Sequence, residues 1–359
     1  MIHQIYPHQD AALYEIEQTQ NTGLDQILEL VKTVETASIL YNSRILLQFD
    51  LSTVSASIVA GTITSPKYYL VLSATEGSEI PIDYTLKAYP VSSSWTMGNG
   101  KYADYPITTT GVSWNNRRDS TGWATASSYT NNVTASWQSE EGGGNWYTGS
   151  GFEASQSYNY EVPDVRMDVT DIVNKWMSQS IENNGFIIKR SDADESSADE
   201  LGSIKFFSTE THTIYVPKLQ VCWDDSAFAT GSLTALTSEN PVVTTKHLKS
   251  EIKTNSKEKV RVFGRTKYPV RTFSTSSAFL TINYLPTSSY WSLRDTITND
   301  TIIPYDNTYT KISCDSSGNY FNFWGSGIQP NRYYRFEFKI IRSGTEEYFM
   351  DQHHFKVVR

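Results

Sequence analysis

The chain of 359 residues contains no apolar run approaching the ~18 residues that a membrane-crossing helix needs. Its first residues, Met1-Ile2-His3-Gln4-Ile5-Tyr6, lack the charged start and apolar core of a secretion signal, so synthesis in a cytoplasm without membrane insertion is expected. Cysteine is scarce: Cys222 and Cys314 stand far apart, each in an expected strand, which gives no disulfide framework or zinc cluster and predicts buried free thiols. Positive charge is outnumbered, with 30 Lys and Arg against 39 Asp and Glu and a net charge of -9. That balance argues against a nucleic-acid partner, because phosphate binding is driven by cations that displace counterions. The chain has no Gly-x-Ser-x-Gly elbow and no His-x-x-x-His pair, and Gly142-Gly143-Gly144 lacks the following Lys and helix of a phosphate loop. No catalytic residue and no organic cofactor is assigned, and an enzyme is not expected. The one catalytic alternative is a pair of carboxylates suited to glycoside hydrolysis, which abundant Asp and Glu leave open.

Aromatic residues are plentiful: 23 Tyr, 15 Phe and 9 Trp, or 13% of the chain, beside 38% hydrophobic and 19% charged residues. Such a mixture suits half-buried strands rather than amphipathic helices, so an all-β protein is predicted. At ~150 residues per domain the length allows two or three domains. Strands are expected at 43–50, 67–72 and 84–91, the last two central in their sheet and the last with the period-two alternation of a strand buried on one face. From about 92 to 158 the character changes, with Trp95, Trp114, Trp123, Trp137 and Trp146 spread through Ser, Thr, Asn and Gly. A region so long without regular pattern is functional or held by its own packed rings.

A short helix is predicted after Asp168, capped by Asp168 or Thr170, with Ile172, Val173, Trp176 and Met177 on one face. Strands follow at 184–189, 204–208 and 217–223. The acidic run 191–200 reads as a solvated hairpin loop, with a calcium site as the alternative. Residues 226–245, poor in large apolar side chains, read as a linker. Beyond it Lys246 to Lys259 is basic, Lys259 to Phe263 alternates as an edge-type strand with its charges outward, and at least six strands recur before the end. That density predicts an immunoglobulin-like β-sandwich over 246–359.

These residues carry two resemblances. Asn21 and Gly23, Phe49 to Ser52, Trp95, Trp114, Asp168 to Thr170, Trp176, Asn184 to Phe186, Phe207-Ser208 and Pro217 to Val221 follow the order of a DNRLRE-type jelly roll, a carbohydrate-binding-module-like domain. The resemblance covers residues 1 to about 225 and implies a jelly-roll β-sandwich with one short helix. The enlarged Trp-rich region departs from the pattern and leaves any sugar site untransferred. The second region is similar to the carboxy-terminal part of tailed-bacteriophage structural proteins, through 261–265, 268–273, 284–290, Arg294-Asp295, 311–315 and Tyr320-Phe321. It implies a virion component assembled in the host cytoplasm, a homo-oligomer in contact with other virion proteins.

Three sets of residues are candidates for function. Asp10, Asn21, Asp25 and Asp50 supply the oxygen ligands of a structural calcium ion or, alternatively, cap turns and strand ends. Exposed members of Trp95, Trp114, Trp123, Trp137 and Trp146, with Tyr102 and Tyr147, form a candidate contact surface for a protein or a host glycan, against the plain alternative of internal packing. The expected function is a non-enzymatic assembly and spacer module of the phage neck, tail or fibre-attachment region; the alternative is an adhesin recognising host surface glycans.

Overall fold

The computed structural model describes residues 1–36, 39–123, 142–159, 164–270, 273 and 280–359. The protein is all-β and divides into two compact bodies. The larger takes residues 5–60 and 67–220; the smaller takes 1–4, 61–66 and 221–359.

In the larger body the main sheet has the order Ala154–Asn159, Asp83–Pro90, Phe186–Arg190, Ile39–Phe49, Ile27–Thr36, Gly202–Phe207, Ala74–Ser78, and Pro7–Tyr14 also pairs with Ile39–Phe49. In the second sheet Lys67–Leu72 lies between Val165–Asp168 and Lys218–Cys222. Phe186 pairs with Leu47 and Ile187 with Leu46, so alternation along these strands sends Ile45, Leu47, Phe49, Phe186 and Ile188 to one face. Arg44, Leu46, Ile187 and Lys189 go to the other. All five residues of Phe186–Arg190 are nonetheless buried, because both faces of this part of the sheet are covered.

The predicted helix is Thr170–Met177. Its buried face, Thr170, Ile172, Val173 and Trp176, packs by the Trp176 ring on Phe186 at 4.6 Å. Thr170 Oγ1 accepts from Tyr68 N at 3.0 Å, which ties the first turn to the neighbouring strand. Two further helices, Ser52–Val59 and Asp192–Ser196, were not expected. The second replaces the predicted solvated hairpin loop. Ser191 Oγ caps it from Asp194 N at 3.1 Å, and Glu195 is buried because two cations of the main sheet draw it inward.

The smaller body is a sandwich of two sheets. One has the order Thr234–Ala235, Asn283–Tyr284, Lys257–Thr266, Gly318–Trp324, Ser313–Asp315, with Pro241–Lys246 also on Lys257–Thr266. The other runs Glu251–Lys253, Thr345–Val358, Tyr333–Arg342, Ser289–Asp295, Thr301–Ile303. Aromatic rings join them: Trp291 stacks on Phe321 at 4.6 Å, and Phe336 meets Phe321 at 4.9 Å and Phe323 at 5.4 Å. One reading is corrected here and a second in part. The expected linker 226–245 supplies the strands Thr234–Ala235 and Pro241–Lys246, anchored by buried Leu236 and Val243. The expected edge-type strand keeps an open edge over 257–260, where Gly318–Trp324 is its partner among the described residues, and is interior at 261–262, where Pro241–Lys246 also pairs with it. The first residues belong to this body as well: Gln4 Nε2 donates to Ile302 O at 2.8 Å, and the His3 ring lies 5.0 Å from Trp324.

Candidate functional site

On the second face of the main sheet, Ala11, Leu13, Leu46, Tyr89 and Ile187 form an apolar floor. Trp95, Trp114, Trp123 and Trp146 close over it together with Val91 and Val112, and all four indoles are buried. Tyr147 is buried too. Trp95 Nε1 donates to Asn184 O at 2.8 Å and Trp123 Nε1 to Ser113 O at 3.1 Å, so two of the indole N–H groups are satisfied inside the fold. The expected contact surface is therefore a second core. Ser- and Asn-rich chain cannot cover a sheet with aliphatic groups, and the large indoles do so instead. Of the remaining candidates, Trp137 lies outside the described residues, and Tyr102 is 47% exposed with its ring tilted against Tyr14 at 4.7 Å.

The centre of this layer is a buried cation. The guanidinium of Arg44 lies 4.8 Å from the Trp114 ring and 5.0 Å from the Trp146 ring. Its Nε and Nη2 donate to the two carboxylate oxygens of Glu195 at 3.1 and 2.8 Å, and Nη1 donates to Gly143 O at 2.7 Å. Lys189 Nζ reaches the same Glu195 at 2.9 Å and also bonds Asp192. Bidentate geometry, ring contacts and a second cation compensate a charge that would otherwise be strongly disfavoured in this interior. A Cβ on Gly143 would lie 2.3 Å from Arg44 Nη1, and its φ is +70°, so glycine is required where the chain passes the guanidinium. The glycine run thus admits an arginine, not a phosphate. Nothing local in the sequence marks the Arg44–Glu195 pair.

The four candidate metal ligands are committed to protein groups. Asn21 Nδ2 donates to Met97 O and Val112 O, each at 2.7 Å, and Oδ1 accepts from Gly100 N at 2.7 Å and Gly23 N at 3.3 Å. Both donors and both acceptor positions are used, which makes Asn21 an organiser of the loop 97–112. Asp10 Oδ2 accepts from Thr209 N at 2.8 Å and Oδ1 accepts from the Thr209 hydroxyl; burial pushes the carboxyl up to about 6. Asp25 accepts from Tyr102 N at 3.0 Å, with its carboxyl raised by burial. Asp50 accepts from Ser52 N at 2.9 Å at the start of the helix Ser52–Val59, and that bond holds its carboxyl low. Among the described residues no group of three or more His, Cys, Asp or Glu side chains is arranged to hold a metal ion.

An open groove of about 620 Å³ lies at the end of the helix Thr170–Met177, lined by Ser92, Tyr147, Trp176, Gln179, Glu182 and Asn183 among others. Trp176 Nε1 and Ser92 Oγ are buried there without a hydrogen-bond partner among the described residues. It combines an aromatic wall, amide groups and a carboxylate, and the sequence did not single it out.

No family model matches the sequence, and no curated protein matches it. A solved structure, that of Parabacteroides merdae β-glucuronidase with glycerol in its active site, aligns with 81% of this chain at 8% identity and a TM-score of 0.17. The chain spans 28% of that enzyme's length, and a likeness so low carries no argument about fold or activity.

Proposed function

We propose that this chain is a non-enzymatic structural module of a tailed-bacteriophage particle, an assembly and spacer part of the neck, tail or fibre-attachment region. The observation that carries the reading is the inward commitment of the Trp-rich layer: its indoles and its buried cation stiffen a β-sandwich instead of furnishing a reaction centre. The resemblance of residues 261–321 to phage structural proteins supports the setting. Rigid sandwich bodies suit a part that works by holding distance and presenting faces. The test is quantitative mass spectrometry of gradient-purified particles. A fixed stoichiometry relative to the major capsid protein is expected, and its absence from particles would overturn the proposal.

A second reading, a host-glycan adhesin, is favoured by the open groove beside Trp176, which the exposed Gln179 and Glu182 side chains line with groups able to bond sugar hydroxyls. A glycan array screened with the wild type and with Gln179→Ala/Glu182→Ala, which strips the exposed polar lining of the groove, tests it. Glycan binding that the variant loses supports the adhesin; an array without signal removes it.

A further inference from the structure

The two bodies carry opposite charge. Residues 5–60 and 67–220 hold 26 Asp and Glu against 13 Lys and Arg, whereas 1–4, 61–66 and 221–359 hold 13 against 17, giving −13 and +4 of the chain's −9. The surplus of cations is concentrated between Lys246 and Lys267, where eight Lys and Arg accompany two carboxylates, Glu251 and Glu258. Along the strand Lys257–Thr266, alternation places Lys257, Lys259 and Arg261 on the face of the sheet opposite buried Val260 and Val262. Lys246 pairs directly with Arg261, and Lys257 pairs with Trp324.

Part of this charge is answered locally: Asp315 binds Lys259 at 2.8 Å and Arg261 at 2.7 Å, and Glu258 binds Lys249 at 2.8 Å. Lys246 and Lys257 are exposed and have no carboxylate partner among the described residues. Lys257 lies 3.7 Å from the Trp324 ring and Lys246 lies 5.6 Å from the Phe263 ring. Trp324 is buried beneath Lys257, so there the face offers an ammonium group rather than an open ring on which a base could stack. A groove of about 210 Å³ beside Lys246, Arg261 and Phe263 gives it relief.

The larger body exposes the opposite sign along the edge of its main sheet. The edge strand Ala74–Ser78 carries Glu76, 61% exposed, and is followed by Glu79. Its pairing with Gly202–Phe207 brings Asp199 and Glu200 toward the same end, and Glu79, Asp199 and Glu200 are all exposed. Lys205 answers Glu76 at 3.0 Å and Lys32 lies in the field of Asp199, which leaves Glu79 and Glu200 without a cation partner among the described residues.

We propose that the Lys246–Lys257 face of one copy docks on the Glu76–Glu79–Asp199–Glu200 edge of a second copy. The inference deepens the assembly reading and rests on it for the claim that copies meet. A contact between unlike patches is heterologous, so it closes into a ring or continues as a filament. Single surface ion pairs contribute about 0–1 kcal/mol, and repetition makes such contacts effective.

Sedimentation velocity of the full chain tests this at about 0.02 M and about 0.5 M salt, between which the screening length falls several-fold. Concentration-dependent association at low salt is expected, weakened by at least about 10-fold at high salt. Lys246→Glu/Lys257→Glu should abolish it, as should Glu79→Lys/Glu200→Lys, each with an unchanged monomer sedimentation coefficient to show that it folds. Lys246→Gln/Lys257→Gln should weaken association less than the reversal does. Mixing the two reversed variants should restore an association that neither has alone. Wild type that stays monomeric at low salt, association that survives either reversal, or a mixture that stays monomeric overturns the proposal. A duplex oligonucleotide bound through the same lysines, without self-association, also overturns it. Because the experiment uses isolated protein, its failure leaves the stoichiometry test in particles untouched.

Discussion

Glu195 is the residue on which the Trp-rich layer most depends, because it holds Arg44 by two bonds and Lys189 by a third in a buried site. Removing one member of a buried ion network leaves a charge without compensation, at about 3–5 kcal/mol. Glu195→Ala is therefore expected to lower the unfolding midpoint sharply and shift tryptophan emission to the red as water reaches Trp114 and Trp146. Arg44→Lys should also destabilise, since an ammonium cannot make the bidentate bond while lying between two rings. At the same scale two titratable groups set opposite pH slopes. His3 is held down to about 4, from 6.5, by burial and by the charge of Lys257. The unfolded chain binds its proton first, so the stability it contributes is lost as pH falls from 6.5 to about 4. Asp10 is raised from 3.8 to about 6, so the folded form binds the proton first and its contribution is lost as pH rises through that interval. Chemical denaturation between those limits is expected to give a flatter acid limb in His3→Gln. In Asp10→Asn the loss on raising pH should vanish, since an amide can accept from Thr209 N–H and donate to the Thr209 hydroxyl.

Among the elements, the loop 97–112 is the part most dependent on a single side chain. Asn21→Ala removes three bonds to the backbone of that loop and a fourth to Gly23, and orphans buried groups at about 1–3 kcal/mol each. Its product should lose protection in hydrogen exchange at Gly100 and Val112 before the main sheet does. Gly111→Ala should destabilise by more than about 1 kcal/mol, because φ is +101° and the added Cβ would stand 2.4 Å from the Gly98 Cα. How far such elements could be read from sequence depended on the range of their interactions. The strand Asp83–Pro90 and the helix Thr170–Met177 carry their burial pattern locally, and both were legible. The helix Ser52–Val59 is made of Ser, Thr, Ala and β-branched residues with no clear apolar stripe, so periodicity could not find it. The helix Asp192–Ser196 looks solvated until Glu195 meets Arg44, a partner far away in the chain.

For the molecule as a whole, composition was enough to anticipate an all-β protein, because Tyr, Phe and Trp at 13% fit pleated and half-buried surfaces. The discontinuous smaller body was illegible: Met1–Gln4 and Gly61–Pro66 join it through tertiary contacts that leave no periodic signal. For Trp95, Trp114, Trp123, Trp146 and Tyr147 the sequence left packing and contact open, since only the sheet beneath them decides which way rings set among Ser and Asn turn. The charge division between the bodies, by contrast, is a property of sequence that acquires meaning once the cations are seen to share one face. The proposed role as a building part of a phage particle is checked by a reconstruction of intact particles. Density for both β-sandwich bodies at fixed, symmetry-related positions is the predicted result; particles without this chain, or purified protein that depolymerises a host polysaccharide, would contradict it.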